Sequence, residues 1–253
     1  MTYDCFCFSN ELDLLELRLN ELSSVVDYFV LVESECNHQK RSKALFYKDN
    51  KERFSHFNDR IIHIVISASE LPLHKSSWDI EHFQRNQIMR GLDNCKPQDL
   101  ILISDLDEIP RPDAITRYRN TKHPIRLYQD LFYYFLNFRC IERRVWTLGT
   151  RMLPFRALKS PQEARKLSCH HLDNAGWHFS YLGGPNAIIQ KINAFAHAEF
   201  NVEKYNNASF IQHQIRAGTD VFGRNLHFEK INIDKTFPVY LQSNQAKYSR
   251  HLI

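Results

Sequence analysis

The chain has 253 residues, 43% hydrophobic and 25% charged, with a formal net charge of +4 and only 7 glycines. Its length suits one domain, or at most two small ones, with an ample core, and so mild a charge excess singles out no polyanion, so no nucleic-acid partner is expected. Glycine stands at under half its average share of about 7%; there is no G-x-G-x-x-G, and the nearest approach to a phosphate-cradling loop, residues 218–223, is followed by Arg224 and Asn225 where Lys and Ser or Thr are required.

Residues 3–8 read as a short apolar strand. Leu12, Leu15, Leu19 and Leu22 then recur at helical spacing, with Ser9 or Asn10 suited to the N-cap and Glu11 and Asp13 to the first turn. Residues 28–33 form a continuous apolar run ending in a carboxylate, Glu33. A basic, polar stretch over 38–43 leads to a helix expected near 48–57 and a β-branched strand over 60–67. A helix over 79–92 precedes a fourth strand, 99–104. Four apolar strands separated by helical segments predict βαβ units and a parallel sheet, with ligands at the carboxyl ends of the strands.

After Pro110 the pattern changes. A short helix over 112–118 leads to an aromatic-rich segment, 128–138, and a strand candidate, 145–155. Residues 177–182 alternate like a strand and run into Gly183, Gly184 and Pro185, a turn opening a helix to about His197; a further helix covers 208–216. No repeat, low-complexity tract or linker divides the chain, so both halves are expected in one domain.

Six cysteines (Cys5, Cys7, Cys36, Cys95, Cys140 and Cys169) contain no C-x-x-C pair. Cys5 and Cys7 share one face of the first strand, and reduced thiols in a cytoplasmic protein are expected. Cys169, His170 and His171 have the composition of a metal site, but adjacent residues rarely all reach one ion, and no zinc site is expected. No run approaches the ~20 apolar residues of a spanning helix. The expectation is a soluble protein, with peripheral membrane contact left open by the basic excess.

The strongest chemical signal is Asp105-Leu106-Asp107-Glu108 at the tip of the fourth strand. In an extended tip alternate residues project to one side, so Asp105 and Asp107 are expected to approach one cation. Two enzyme classes place D-x-D at a strand tip. Phosphotransferases of the haloacid-dehalogenase type use its first Asp as nucleophile, but on a strand near the start of the core and followed by small residues. Nucleotide-sugar glycosyltransferases of the GT-A type build a nucleotide pocket from three strands before the D-x-D strand. The order here matches the second class: α/β, a single GT-A-type domain with a mostly parallel central sheet flanked by helices, its Rossmann-like nucleotide half over 1–110 and its acceptor half over 111–253. The phosphotransferase and a non-enzymatic carbohydrate-binding module remain the alternatives.

Several blocks carry a family resemblance: residues 8–22 (FSNELDLLELRLNEL), 26–34 (VDYFVLVES), 83–86 (FQRN), 103–111 (ISDLDEIPR) and 176–184 (GWHFSYLGG). Together they resemble glycosyltransferase family 17, over nearly all the chain to about Phe200. The resemblance implies inverting transfer of a sugar, GlcNAc from UDP-GlcNAc, to a glycan or glycolipid acceptor, assisted by Mn²⁺ or Mg²⁺. In that frame Asp105 and Asp107 are the metal ligands, with His178 as a third. Asn10, Glu11, Glu33, Arg85, Asn86 and Asp105 line the nucleotide sugar; Arg111 and Asp113 orient the metal carboxylates. Trp177 and Tyr134 stack on the acceptor. The catalytic base is sought among Glu199, Asp173 and Asp130, with Glu199 first. Lys191 is read as solvated rather than reaching the diphosphate.

Overall fold

The computed structural model describes residues 1–253 with the exception of Ala198. The first half runs β1 (Thr2–Phe8), α1 (Leu12–Leu22), β2 (Tyr28–Ser34), α2 (Phe46–Asp49), β3 (Ile61–Ile66), α3 (Ser77–Asn86) and β4 (Leu100–Asp105). The second begins with β5 (Glu108–Pro110), α4 (Pro112–Arg117), β6 (Ile125–Leu127), β7 (Gln129–Tyr133), β8 (Phe138–Cys140), β9 (Val145–Trp146) and β10 (Arg151–Pro154). It ends with α5 (Pro161–Lys166), β11 (His170–Leu172), β12 (Gly176–Ser180), α6 (Gly184–Ile192), α7 (Ala208–Ala217), β13 (Phe228–Lys230) and α8 (Val239–Ser243).

The expected α/β class is present. A seven-stranded sheet has the order β11-β6-β10-β4-β1-β2-β3, and its β4-β1-β2-β3 portion is entirely parallel. Because these strands are covered on both faces, they read as unbroken apolar runs. Phe6, Phe29, Leu31, Leu100 and Leu102 pack into a core with α1. Cys5, Val30, Val32, Ile101 and Ile103 face the opposite core, which holds Ile80 of α3 and Ala164 of α5. A second sheet, β13-β8-β7-β12-β5 with β9 beside β7, packs against α6 and α7.

Some elements differ from the sequence expectation, each for a local reason. The strand expected over 145–155 is two strands in different sheets: β9 pairs with β7, whereas β10 pairs with β4 and β6. The helix expected over 48–57 is the single turn α2 followed by a 3₁₀ segment, Lys51–Phe57. The helix expected over 79–92 begins two residues earlier, at Ser77, with Ser76 and Asp79 forming its capping box, and tightens to 3₁₀ geometry at Gln87–Gly91. Moreover, β10, β6 and β11 of the second half complete the sheet of the first, so the two halves interlock.

All six cysteines are free thiols. Among the described residues, no helix is long and apolar enough to cross a membrane.

Candidate active site

The D-x-D segment lies where the chain leaves one sheet for the other. Asp105 ends β4 in the large sheet and Glu108 opens β5 in the small one, with Leu106 and Asp107 as the turn between them. The side-to-side alternation of an extended strand therefore does not apply, and the two carboxylates take different partners. Asp105 Oδ1 accepts from Arg85 at 3.0 Å and Oδ2 from Arg165 at 3.2 Å. Asp107 Oδ2 accepts from Lys191 at 2.9 Å, and its Oδ1 stands 3.4 Å from His178 Nε2. The pairing of β12 with β5 sets His178 opposite Glu108, next to Asp107. Gly176 permits that pairing, since a Cβ there would lie 2.4 Å from the Ile109 carbonyl oxygen.

These contacts determine the charge states. Burial works against an ionised Asp105, but Arg165 and Arg85 outweigh it and bring its pKa down to about 2. Burial is outweighed at Asp107 too, by Lys191 and His178, so its pKa lies far below the ordinary carboxylate range. Burial also penalises the Lys191 ammonium, and Asp107 reverses this to hold its pKa above the usual lysine value. Both carboxylates are thus anionic, and Lys191 is a fixed cation rather than a solvated one.

Two buried groups that the sequence reading missed hold the turn in shape. Arg18 of α1 is fully buried. It grips both oxygens of Asp4 at 2.7 and 2.6 Å and donates from Nη1 to the carbonyls of Asp105, Leu106 and Glu108 at 2.8–3.0 Å. Glu108, also fully buried, accepts from Trp146 Nε1 at 2.8 Å, from Arg165 and from the Asp105 backbone N–H at 3.1 Å. A signal for the first pair was present: Asp4 interrupts an apolar strand, and Arg18 sits one turn after Leu14 and one before Leu22 on a buried helix face.

A cavity of about 260 Å³ opens on the D-x-D turn, walled by the carboxyl end of β1, the segment after β2, α3, the end of β12 and α6. Of the expected donor-binding residues, Asn10, Glu11, Arg85 and Asp105 line it, as do Asp107 and His178. His38, Lys43, Glu81 and Gln84 also line it and had not been singled out.

Other candidates lie elsewhere. Glu33 is fully buried beneath α2, accepting from the Tyr47 N–H at 2.8 Å and standing 3.1 Å from His63 Nε2, so it caps a helix instead of meeting a ligand. Asn86 accepts from the Gln162 N–H at 3.0 Å and fixes α5. Trp177 is core, donating to the Thr236 carbonyl with the Arg111 guanidinium 4.2 Å over its ring. Tyr134 is core too, its hydroxyl donating to the Thr219 carbonyl at 3.0 Å and accepting from the Val221 N–H. Arg111 pairs with Asp130, and Asp113 with Arg117 on the surface, so neither orients the D-x-D carboxylates. Glu199 is 58% exposed, pairs with His197 and lines no cavity described here; Asp173 is more exposed still.

Among the described residues, no group of three His, Cys, Asp or Glu side chains converges as a ready metal cage. The donor set nevertheless suits a hard divalent cation that keeps several non-protein ligands: two ionised carboxylates at one turn, Asp105 being 43% exposed to the cleft.

Fold and site together define an α/β protein with an anionic D-x-D turn and facing cations at the carboxyl end of a parallel sheet. The sequence model of glycosyltransferase family 17 matches residues 1–231, and the chain belongs to that family. That membership favours the glycosyltransferase expectation over the phosphotransferase and the binding module. Among its relatives is the beta-1,4-mannosyl-glycoprotein 4-beta-N-acetylglucosaminyltransferase of Homo sapiens, 26% identical over 113 residues, or 42% of this chain and 21% of that protein. The Rattus norvegicus and Mus musculus proteins of the same name match at 26% and 25% over the same shares. The matched segment is therefore about a fifth of these relatives' length. Two solved structures align along most of the chain. They are the inositol-1-phosphate CTP transferase from T. maritima (10% identity, 100% of this chain and 97% of that one, TM-score 0.36) and the M. tuberculosis glucosyl-3-phosphoglycerate synthase (11%, 96% and 92%, 0.35). Both TM-scores are too low to carry a fold assignment.

Proposed function

We propose that the chain transfers GlcNAc from UDP-GlcNAc to a hydroxyl group of a glycan acceptor with inversion at the anomeric carbon, using Mn²⁺ or Mg²⁺. The observation that carries this reading is the D-x-D turn facing Lys191 and Arg85 in a cavity at the strand ends. A nucleoside diphosphate leaving group needs its growing negative charge neutralised, and cations that folding has already brought to the site are at hand to do so. The donor sugar and glycan class are taken from the family relatives, whose names specify N-acetylglucosamine transfer to a mannosyl glycoprotein.

Asp105 and Asp107 would hold the divalent cation, with His178 beside Asp107. Its chemistry there is Lewis-acid stabilisation of the departing diphosphate. This chain's own groups do the rest. Lys191, paired with Asp107 in the free protein, turns to a phosphate oxygen. Arg85 and Arg165 hold Asp105 ionised, while Arg18 keeps the turn closed beneath them. Asn10 and Gln84 line the cavity and offer hydrogen bonds to the nucleoside.

The test is calorimetric titration of UDP-GlcNAc with and without Mn²⁺, together with UDP release. Asp107→Ala is expected to retain the fold and to lose at least about a hundredfold in turnover. Excess chelator is expected to do the same to the wild type. Undiminished turnover in both cases overturns the metal-assisted reading.

A further inference from the structure

Beside the D-x-D cavity lies a second of about 390 Å³, between the N-terminal turn of α1, the start of α6 and the chain's C-terminal residues Tyr248–His251. The two cavities share a wall made of Asn10, Glu11, Tyr181, Gln190 and Lys191. The second contains neither Asp105 nor Asp107, and its size is that of an ordinary small-ligand site. Its floor is apolar (Leu136, Phe179 and Leu182), while Arg53, Arg250 and Gln190 supply polar groups at the rim. Such a mixture suits a neutral sugar, whose C–H faces pack on apolar and aromatic side chains while its hydroxyls take hydrogen bonds.

Glu11 is the carboxylate of the shared wall. It occupies the N-cap of α1 but makes no capping hydrogen bond; one oxygen accepts from the Asn10 N–H at 3.0 Å. The other oxygen lies 4.0 Å from Lys191 Nζ, and the carboxylate is 32% exposed. The remaining carboxylates of the two cavities are committed. Asp13 is held by Arg53, Arg250 and His251, Glu81 by Arg85, and the D-x-D pair as described. Among the described residues lining them, Glu11 alone is an acid with no Lys or Arg within hydrogen-bond distance. Lys191 Nζ lies between it and Asp107, 4.0 Å from the Glu11 carboxylate and 2.9 Å from that of Asp107.

We propose that the second cavity is the acceptor site, taking the neutral end of an oligosaccharide, and that Glu11 is the catalytic base. The inference rests on the glycosyltransferase reading above and assigns its second substrate. In the step, the acceptor oxygen bonds to the anomeric carbon of the donor sugar. The bond from that carbon to the diphosphate oxygen breaks, its electron pair leaving on the nucleotide, and the acceptor's hydroxyl proton passes to Glu11. Glu199 plays no part.

The experiment measures donor affinity by calorimetry with UDP-GlcNAc and transfer to a panel of neutral probes: mannobiose, chitobiose and lactose. Glu11→Gln is expected to lower kcat by about 10²–10⁴-fold, with donor Kd and acceptor KM within about threefold of wild type. Leu182→Trp and Ala187→Leu, which fill the second cavity from two sides, are expected to raise acceptor KM at least about tenfold with donor Kd unchanged; the helix-surface change guards against misfolding of the other. A Glu11→Gln enzyme with wild-type kcat, or one that chiefly loses donor binding, overturns the base assignment. Unchanged acceptor KM in both filled variants overturns the site. Donor binding without transfer to any neutral probe overturns the acceptor class. A wild type that binds no nucleotide sugar overturns the glycosyltransferase reading itself, and is recognised before any acceptor is added.

Discussion

Arg18 is remote from the cleft surface, yet it fixes the shape of the D-x-D turn. Its guanidinium replaces the water that three turning carbonyls would otherwise need, and Asp4 balances its charge inside the core. Removing one partner of such a buried pair leaves the other charged and unsolvated. Arg18→Met is therefore expected to destabilise the protein by about 3–5 kcal/mol in urea denaturation, and adding Asp4→Leu is expected to restore much of the loss. A single variant as stable as wild type would show that the turn holds itself. Residue chemistry was only partly legible: Asp105 and Asp107 announced themselves by motif, but Lys191 and Arg165 come from helices distant in sequence and carry no local mark.

At the level of elements, α1 carries the most varied duties. Its start, Asn10 and Glu11, lines both cavities, its buried face pins the D-x-D turn, and its outer face receives the C-terminal segment. Asp13 is the centre of that last contact. The hydrogen bond from His251 is the main influence on its pKa; burial opposes, Arg250 and Arg53 add to it, and the result lies well below the ordinary value. A carboxylate with a depressed folded-state pKa contributes stability above its unfolded pKa, near 3.9, and loses it as the pH falls toward the folded value. Asp13→Asn is thus expected to lower Tm at pH 7, the gap to wild type narrowing below about pH 4. A gap independent of pH would assign the loss to packing. The helix over 12–22 was readable from spacing because its leucines recur on the face that packs into the sheet core. The split of 145–155 was not, because β-propensity does not say which of two sheets a strand joins.

For the whole molecule, the donor cavity assembles chain segments from six regions: residues 7–11, 36–43, 81–85, 105–107, 178–181 and 190–195. A ligand that binds across them should protect them together. Hydrogen exchange is expected to slow in these segments on adding UDP-GlcNAc with Mn²⁺, while the interior of β1, β2 and β4 stays unchanged. Protection confined to one segment would mean that the cavity is not a single site. What the sequence determined by itself was local and periodic: the apolar runs of the parallel strands, the order placing D-x-D on the fourth strand, and the blocks that carry the family. Such features follow from which residues are buried and which cap, and those rules operate over a few neighbours. Tertiary structure decided the rest. It turned Glu33, Trp177 and Tyr134 into core, left Glu199 outside, delivered Lys191 to Asp107, and set Glu11 between two cavities. Whether a carboxylate is spent on a fold contact or left free for a ligand depends on partners brought from far along the chain, and only packing supplies them.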